Sequence, residues 1–285
     1  MRKGRGMAYG AASVVNAMPS GFGAAFGVGL RTNAEVEPVE GGAVEVEIMG
    51  DPGEDKRLAL ESFRVVMEHF GLRGGAAIRT SSEIPIAVGM KSSSAAANAT
   101  VLATLDAVGE RVGEMEAIRM GVEASVRAGV TLTGAFDDAC ASLLGGLQVT
   151  DNYQGKIMRS FELEPLSVVF LVPEGKRYSG RVDVARIRAY ARTSLLAFED
   201  ALAGRYWQAM LLNGLLMAHA FAIDPSPIVT AIKNGALSAG ICGKGPSICA
   251  VSRREDEGGI VDGWSGLGFR MIRTQTNSNH GRQGD

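Results

Sequence analysis

The sequence lacks the features that mark secreted, membrane-spanning and disulfide-rich proteins. Its 285 residues include only three cysteines, Cys140, Cys242 and Cys249, and these form no Cys-x-x-Cys pair. Buried, reduced thiols are therefore expected rather than a disulfide or a cysteine metal site. No apolar run reaches the roughly 18 to 20 residues that span a bilayer. Glycine and serine interrupt the stretch after the basic N-terminus, which is not typical of a signal peptide. We expect a cytoplasmic protein with no membrane partner.

An excess of charge and several well-known motifs are also missing. The chain carries 29 Lys and Arg against 31 Asp and Glu, a net charge of -2, so no nucleic-acid partner is expected. The three histidines are widely scattered, which argues against a zinc site or a Ser-His-Asp triad. There is no Gly-x-x-x-x-Gly-Lys-Ser/Thr loop, no Gly-x-Gly-x-x-Gly pattern and no His-Arg-Asp sequence. The usual signals of a P-loop NTPase, a dinucleotide-binding domain and a protein kinase are therefore absent.

The sequence does contain 38 glycines and one unusual stretch, which we call the serine loop (residues 85–95). An apolar run turns at Gly89 and passes through Lys91 and three serines into an alanine-rich helix predicted to extend to about Val108. The first turn of a helix has unpaired N–H groups and the positive end of the dipole, so this composition favours phosphate binding. A simple helix cap is the alternative, but one serine would satisfy it. The nucleotide-binding candidates are Pro85, Ile86, Ala87, Val88, Gly89, Met90, Lys91, Ser92, Ser93, Ser94 and Ala95.

A second candidate site is the aspartate segment (residues 128–142), in which Asp137 and Asp138 are adjacent among small and apolar residues. Two such carboxylates repel each other and lose hydration, which costs stability unless one of them caps the next helix. Capping would account for one acid and leave the other. The segment therefore favours a site that uses at least one carboxylate.

Two glycine-bearing loops supply weaker candidates. Residues 16–23 follow the first predicted strand and begin with Asn16. Near the C-terminus, the glycine loop (residues 239–247) contains Gly243 and Gly245, which would permit close approach of the backbone to a phosphate or a substrate. An ordinary hairpin is the alternative for each loop.

The order of the predicted elements indicates an α+β protein. Strands are predicted at 7–15, 36–48, 76–83, 147–149, 166–173, 248–252 and 268–274. Helices are predicted at 55–70, 114–127, 183–192, 195–217 with a break at Gly204, and 227–236. The run 166–173 is nearly all apolar, which is typical of a central strand. A polar turn at 151–155 suggests a boundary that divides the chain into residues 1–155 and 156–285.

The serine loop resembles the Pro-x-x-x-Gly-Leu-Gly-Ser-Ser-Ala motif of the GHMP small-molecule kinases, which include galactokinase, homoserine kinase and mevalonate kinase. Its lysine and third serine are similar to the variant found in the archaeal type of shikimate kinase. Asp137-Asp138-Ala139 resembles an Asp-Asn-Ala segment of mevalonate kinase. Residues 16–23 resemble the first GHMP motif in its homoserine-kinase form, and the glycine loop resembles the third. The resemblance covers the whole chain in family order.

This resemblance implies a GHMP kinase fold, with a ribosomal-protein-S5-like domain (1–155), a ferredoxin-like domain (156–285) and the active site between them. It also implies ATP and Mg²⁺ as cofactors. Lys91 and the helix start would hold the β- and γ-phosphates, and Asp137 would be the base, with Asp138 as the alternative. Magnesium would be held by Ser93 or Ser94 and by Glu123. The substrate-binding candidates are Asn16, Asp138, Gly243 and Gly245, and an acceptor carboxylate would call for Arg181, Arg186 or Arg192.

The activity implied is ATP-dependent phosphorylation of a hydroxyl of shikimate, a small-molecule substrate, giving 3-phosphoshikimate and ADP for aromatic amino-acid biosynthesis. Homoserine kinase is the alternative within the same family, since the loop that begins at Asn16 favours it. A catalytically silent metabolite sensor is the alternative from another class. The presence of both Lys91 and Asp137 argues against a sensor, which has no need of a base. The sequence does not indicate an oligomeric state.

Overall fold

The computed structural model describes residues 2–86, 88–131, 134–173 and 183–284, and within these ranges the strands form two sheets. The strands are β1 (Gly4–Val15), β2 (Phe22–Val39), β3 (Val44–Ile48), β4 (Gly75–Ser82), β5 (Leu147–Asp151), β6 (Lys156–Phe161), β7 (Ser167–Val172), β8 (Ser238–Ile241), β9 (Ile248–Ser252), β10 (Arg270–Gln275) and β11 (Arg282–Gln283). The helices are α1 (Arg57–His69), α2 (Ser92–Val108), α3 (Glu114–Arg127), α4 (Phe136–Leu144), α5 (Val184–Arg188), α6 (Ala191–Leu202), α7 (Tyr206–Phe221), α8 (Ser226–Lys233) and α9 (Glu257–Ser265).

The first sheet is built around the long strand β2, which pairs antiparallel with β1, β4 and β5. Its main path runs β11-β1-β2-β4-β3, and β3 pairs parallel with β4. Helix α2 packs against β1 at very short range, because the positions that face it carry no side chain. A Cβ atom on Gly4 or Gly6 would come within 2.3 Å of the carbonyl oxygens of Ala103 and Ala99, respectively. Small residues on both elements therefore fix the position of α2 on the sheet.

The second sheet has the order β10-β7-β9-β8, and all of its pairs are antiparallel. Every residue of β7 is buried, and this strand pairs with a neighbour on each side. The prediction of a central strand at 166–173 is confirmed. The predicted break at Gly204 is also confirmed, because α6 ends at Leu202 and α7 begins at Tyr206.

The polar turn near residue 155 lies inside a hairpin of the first sheet. Strand β6 pairs antiparallel with β5, and the side chain of Asp151 accepts hydrogen bonds from the backbone N–H groups of Tyr153 and Gln154, both at 3.0 Å. These bonds hold a tight turn, so the chain folds back where the polar composition suggested that it leaves the domain. The chain passes from the first sheet to the second between Phe161 and Ser167.

A shared apolar core joins the two halves. One cluster of buried side chains includes Phe26 and Leu147 of the first sheet, Phe170 of the second sheet and Met210 of α7. This core holds the loop after β1, the start of α2 and the loop after β8 in fixed positions relative to one another. Among the described residues, no helix has the length and apolar character to cross a membrane.

Candidate active site

Helix α2 begins without a side-chain cap. Lys91 occupies the N-cap position with a backbone φ of 61°, and no side chain of the loop caps the helix. The simple capping interpretation of the three serines is therefore not what the structure shows. Ser92 and Ser93 are half-buried and Ser94 is buried, while Val88 and Met90 pack into the shared core. The core anchors the serine loop and leaves the helix start with its first backbone N–H groups uncapped.

The glycine loop packs directly on the serine loop. Gly89 has a φ of 90°, and a Cβ atom there would lie 2.4 Å from the carbonyl oxygen of Cys242. The N–H of Ser247 donates a hydrogen bond of 3.2 Å to the carbonyl of Val88. A Cβ atom on Gly243 would lie 3.3 Å from Nζ of Lys91. Glycine at 89 and 243 thus allows two backbone segments from different halves to approach the same lysine.

Helix α4 begins with Ala135 at the N-cap, with a φ of 48°, and it also lacks a side-chain cap. Asp137 and Asp138 lie in its first turn, and both are buried. Neither acid is the cap that the alternative interpretation required. Oδ2 of Asp138 accepts a hydrogen bond from Nζ of Lys91 at 2.5 Å, in an ion pair whose side chains are only 6% and 14% exposed, respectively.

Asp137 is held by a different set of contacts. Its Oδ1 accepts a hydrogen bond of 2.8 Å from the side-chain amide of Asn152, whose own oxygen accepts one of 2.7 Å from Thr150. Its Oδ2 lies where a side chain on Gly23 would collide with it, since a Cβ atom there would be 2.7 Å away. Asn152 therefore orients one oxygen of this carboxylate, and Gly23 leaves room for the other.

The electrostatics of the cluster follow from burial and from the adjacency of the two acids. Burial raises the pKa of Asp138 from its ordinary 3.8 to about 7, with a further contribution from Asp137, and the opposing effects of Lys91 and Lys244 do not cancel this. Burial by itself would lower the pKa of Lys91, but the carboxylates of Asp138 and Asp137 outweigh it, and the pKa is raised. Lys91 therefore stays charged, while Asp138 can exchange a proton near neutral pH.

Asn16 ties the loop after β1 to the glycine loop. Its side-chain amide donates a hydrogen bond of 2.7 Å to the carbonyl of Gly243, and its backbone N–H donates to the side chain of Asn213 on α7 at 3.1 Å. Ser13 Oγ accepts a hydrogen bond of 3.1 Å from the N–H of Gly243. The backbone of Gly243 is thus held on both sides by the first half of the chain.

These elements line a cavity of about 60 Å³ that is partly open to solvent. It is lined by residues of the loop after β1, the serine loop, the aspartate segment and the glycine loop, namely Asn16, Ala17, Met18, Lys91, Thr131, Ala135, Asp137, Asp138, Gly243 and Lys244. The structure therefore brings together five candidates that are far apart in the sequence: Asn16, Lys91, Asp137, Asp138 and Gly243.

Other candidates lie elsewhere. Glu123 is on the exposed side of α3, where it forms an ion pair of 2.6 Å with Arg127, and it does not line the cavity. Its position four residues before Arg127 on one helix face directs it into this surface pair. Gly245, with a φ of 68°, packs against Ile223 beside the cavity. Arg186 donates to the carbonyl of His219, and Arg192 is exposed. Ala87 and Arg181 lie outside the described residues.

Three residues that contribute to the site were not candidates from the sequence. Lys244 lines the cavity, Asn152 orients Asp137 and Asn213 holds Asn16. The position of Lys244 between Gly243 and Gly245 could have marked it as a site candidate. Nothing in the sequence marks Asn152 as one, because it lies in a polar turn with the composition of a linker.

Comparison with known proteins identifies the family. The family model for the GHMP kinases N terminal domain matches residues 57–146. A shikimate kinase of Methanothrix thermoacetophila is 47% identical over 284 residues, which cover 99% of this chain and 96% of the relative. A shikimate kinase of Thermococcus kodakarensis is 43% identical over 277 residues, covering 95% of this chain and 99% of the relative.

Solved structures agree on the fold. A homoserine kinase from Cytophaga hutchinsonii superposes with a TM-score of 0.77 at 18% identity, covering 99% of this chain and 98% of that one. The mevalonate kinase of Methanococcus jannaschii has a TM-score of 0.78 at 12% identity, covering 96% and 98%. At identities this low, the superpositions are evidence for the fold alone. They confirm the α+β GHMP kinase fold expected from the sequence. Because the two shikimate kinases match nearly the whole chain and the family model matches residues 57–146, the chain belongs to the GHMP kinase family.

Proposed function

We propose that this protein transfers the γ-phosphoryl group of ATP to a hydroxyl of shikimate, giving 3-phosphoshikimate and ADP as a cytoplasmic step of aromatic amino-acid biosynthesis. The observation that carries the proposal is the identity of 47% and 43%, over nearly the whole chain, to two shikimate kinases. The cavity supports it chemically, because phosphoryl transfer needs cations for the phosphates and a group that orients the acceptor hydroxyl. Both kinds of group line the cavity.

The nucleotide phosphates would bind at the start of α2. The uncapped first turn offers backbone N–H groups and the positive end of the helix dipole, and Lys91 adds a full positive charge. The ion pair between Lys91 and Asp138 supports the same assignment, because it holds the ammonium group in position at the cavity before any ligand arrives.

Asp137 is the better candidate for the base. Oδ2 of Asp138 is engaged by Lys91, whereas Asp137 makes its hydrogen bond to Asn152 through Oδ1 and keeps Oδ2 for the acceptor. In the proposed step, Asp137 takes the proton of the acceptor hydroxyl while that oxygen forms a bond to the γ-phosphorus. The bond from the γ-phosphorus to the bridging oxygen breaks, and ADP leaves with that electron pair. Asp137 then releases its proton to solvent.

Magnesium, when bound, neutralises charge on the nucleotide phosphates. The available donors fit a hard cation, because the hydroxyl of Ser93 stands at the start of α2 and Oδ1 of Asp138 is a buried oxygen with no hydrogen-bond partner within the described ranges. A cluster of three or more metal-binding side chains, which the described residues do not contain, is not required. Mg²⁺ is usually held by one or two carboxylates together with phosphates and water. Glu123 does not join this donor set, since it is paired with Arg127 at the surface.

A coupled assay of ADP release tests the proposal. The purified protein with Mg·ATP is presented with shikimate, homoserine and mevalonate in parallel, and turnover is expected with shikimate alone. Turnover of homoserine without turnover of shikimate would assign the chain to the other candidate activity. Absence of turnover with all three acceptors, from protein that still binds nucleotide, would favour the sensor alternative.

A further inference from the structure

A carboxylate on the acceptor needs a cation in the cavity, and the two expected arginines that the structure describes do not supply one. Arg186 donates to the carbonyl of His219, and Arg192 is exposed on α6. Neither lines the cavity. Among the described residues that do line it, the cations are Lys91 and Lys244.

These two lysines differ in how they are engaged. Lys91 forms the 2.5 Å ion pair with Asp138 and stands at the start of α2, where the phosphates are expected. Lys244 forms no ion pair or hydrogen bond with any residue in the part of the chain that the structure describes. An unpaired, half-buried ammonium group that faces a cavity is suited to an anionic ligand, because a charge-assisted hydrogen bond would restore the interactions lost on burial.

The backbone that carries Lys244 is held in place from the other half of the protein. The N–H of Gly243 donates to Ser13, and its carbonyl accepts from Asn16. On the far side, Gly245 is in close contact with Ile223. Because the backbone is already fixed, ligand binding would have to order only the side chain of Lys244, which favours a specific contact over a diffuse surface charge.

We propose that Lys244 binds the carboxylate of the acceptor and thereby selects carboxylate-bearing alcohols over neutral ones. The inference rests on the proposed function and deepens it. Burial lowers the pKa of the unligated Lys244, with a second contribution from the nearby Lys91, and the opposing effect of Asp138 does not cancel them. A carboxylate bound at Lys244 would offset both effects, so binding the acceptor and charging this lysine favour each other.

Steady-state kinetics of Lys244→Met separate this role from a contact with the transferring phosphoryl group. A carboxylate contact predicts a rise of about 10- to 100-fold in KM for shikimate, with KM for ATP within about twofold of the unsubstituted value. A phosphoryl contact would instead lower kcat and leave KM for shikimate unchanged, which would overturn the inference. Lys233→Met is the matched control, because Lys233 is an exposed lysine at the end of α8 that does not line the cavity.

A modified acceptor gives a second, independent measurement. The methyl ester of shikimate lacks the negative charge. With the unsubstituted protein, replacing shikimate by the ester should lower kcat/KM about as much as the Lys244→Met substitution lowers kcat/KM for shikimate. With Lys244→Met, replacing shikimate by the ester should lower kcat/KM little further, because the interaction between Lys244 and the carboxylate is already absent. If the factors by which the ester and the substitution lower kcat/KM simply multiply, the proposed contact is contradicted.

Separate control experiments test whether the variants fold and whether the proposed function holds. Lys244→Arg keeps the charge and should recover part of the loss in KM, and ATP binding by each variant reports whether the site is intact. If the unsubstituted protein fails to turn over shikimate, the proposed function falls and the inference falls with it. If it turns over shikimate and Lys244→Met has an unchanged KM, the inference alone is overturned.

Discussion

The starts of α2 and α4 are built alike and carry opposite charges. Each helix begins with a non-glycine residue at positive φ, Lys91 at 61° and Ala135 at 48°, and neither start has a side-chain cap. Both starts contribute residues to the same cavity. Yet α4 has two acids in its first turn and α2 has none.

The difference shows how a helix dipole can be used in two ways. In α4 the positive end stabilises carboxylates of the chain itself, which helps to keep Asp137 and Asp138 in a buried position. In α2 the corresponding end is flanked by hydroxyls and a lysine, so it remains available to an external anion. One start holds the acids that we propose to act on the acceptor, and the other is suited to the donor phosphates.

The largest expected effect comes from removing the charge of the α4 start. Asp137→Asn should lower kcat by about 10²- to 10⁴-fold, because the group proposed to take the acceptor proton is lost. Nucleotide affinity should stay within about threefold, as judged by calorimetric titration with ATP, because the α2 start is untouched. Asp262→Asn, an exposed acid on α9, is the control. A variant that keeps its turnover would exclude Asp137 as the base.

Removing the charge of the α2 start should act on stability as well as on activity. Lys91→Met leaves the buried Asp138 without its ion-pair partner, so the free energy of unfolding should fall by about 3–5 kcal/mol in urea titrations at pH 8. Lys91→Met combined with Asp138→Asn should recover part of this loss, since the uncompensated charge is gone. A double variant no more stable than Lys91→Met would show that the pair is not the source of the effect.

The stability of the protein should depend on pH through Asp138. Burial, together with Asp137, raises its pKa from 3.8 to about 7. Between these values the folded protein holds a proton that the unfolded chain has released, so this contribution to the free energy of unfolding falls as pH rises and levels off above about 7. Urea titrations from pH 4 to pH 8 should show that decline, and Asp138→Asn should flatten it. An unchanged slope in the variant would assign the decline to other groups.

The smallest expected effect tests the shared backbone conformation. Ala135→Gly should stabilise the folded state by about 1 kcal/mol, because an alanine in the left-handed conformation is strained. Glycine also gives the unfolded chain more freedom, which lowers the free energy of unfolding by about 0.4–1 kcal/mol. The two effects nearly cancel, so the melting temperature should change by only a few degrees at most. Lys91→Gly gains the same relief at the other helix start but loses the ion pair with Asp138, so it should be clearly destabilised. Equal changes in melting temperature for Ala135→Gly and Lys91→Gly would contradict the proposed difference between the two helix starts.

Local signals were sufficient to predict many elements. Helix α3 has the predicted bounds, and α2 ends at Val108 as expected, since Gly109 follows with a φ of 79°. The buried strand β7 was recognisable from its continuous apolar run. In each case the information lies within the segment itself, in periodicity, small side chains or a terminal glycine.

Contacts between distant segments could not be predicted in this way. The pairing of Lys91 with Asp138 joins residues 47 positions apart, and the bond from Asn152 to Asp137 depends on the β5–β6 hairpin. The positive φ of Ala135 has no sequence signal either, because alanine ordinarily avoids that conformation. Family resemblance indicated which segments meet, and the structure adds which atoms face one another.

The C-terminal strand β11 ties the end of the chain to its beginning, through pairing of Gln283 with Gly6 and of Arg282 with Met7. Within the described residues the chain therefore crosses between the halves twice, after Phe161 and again between Gln275 and Arg282. The two crossings act together with the shared apolar core, so any separation of the halves has to break buried apolar contacts between them.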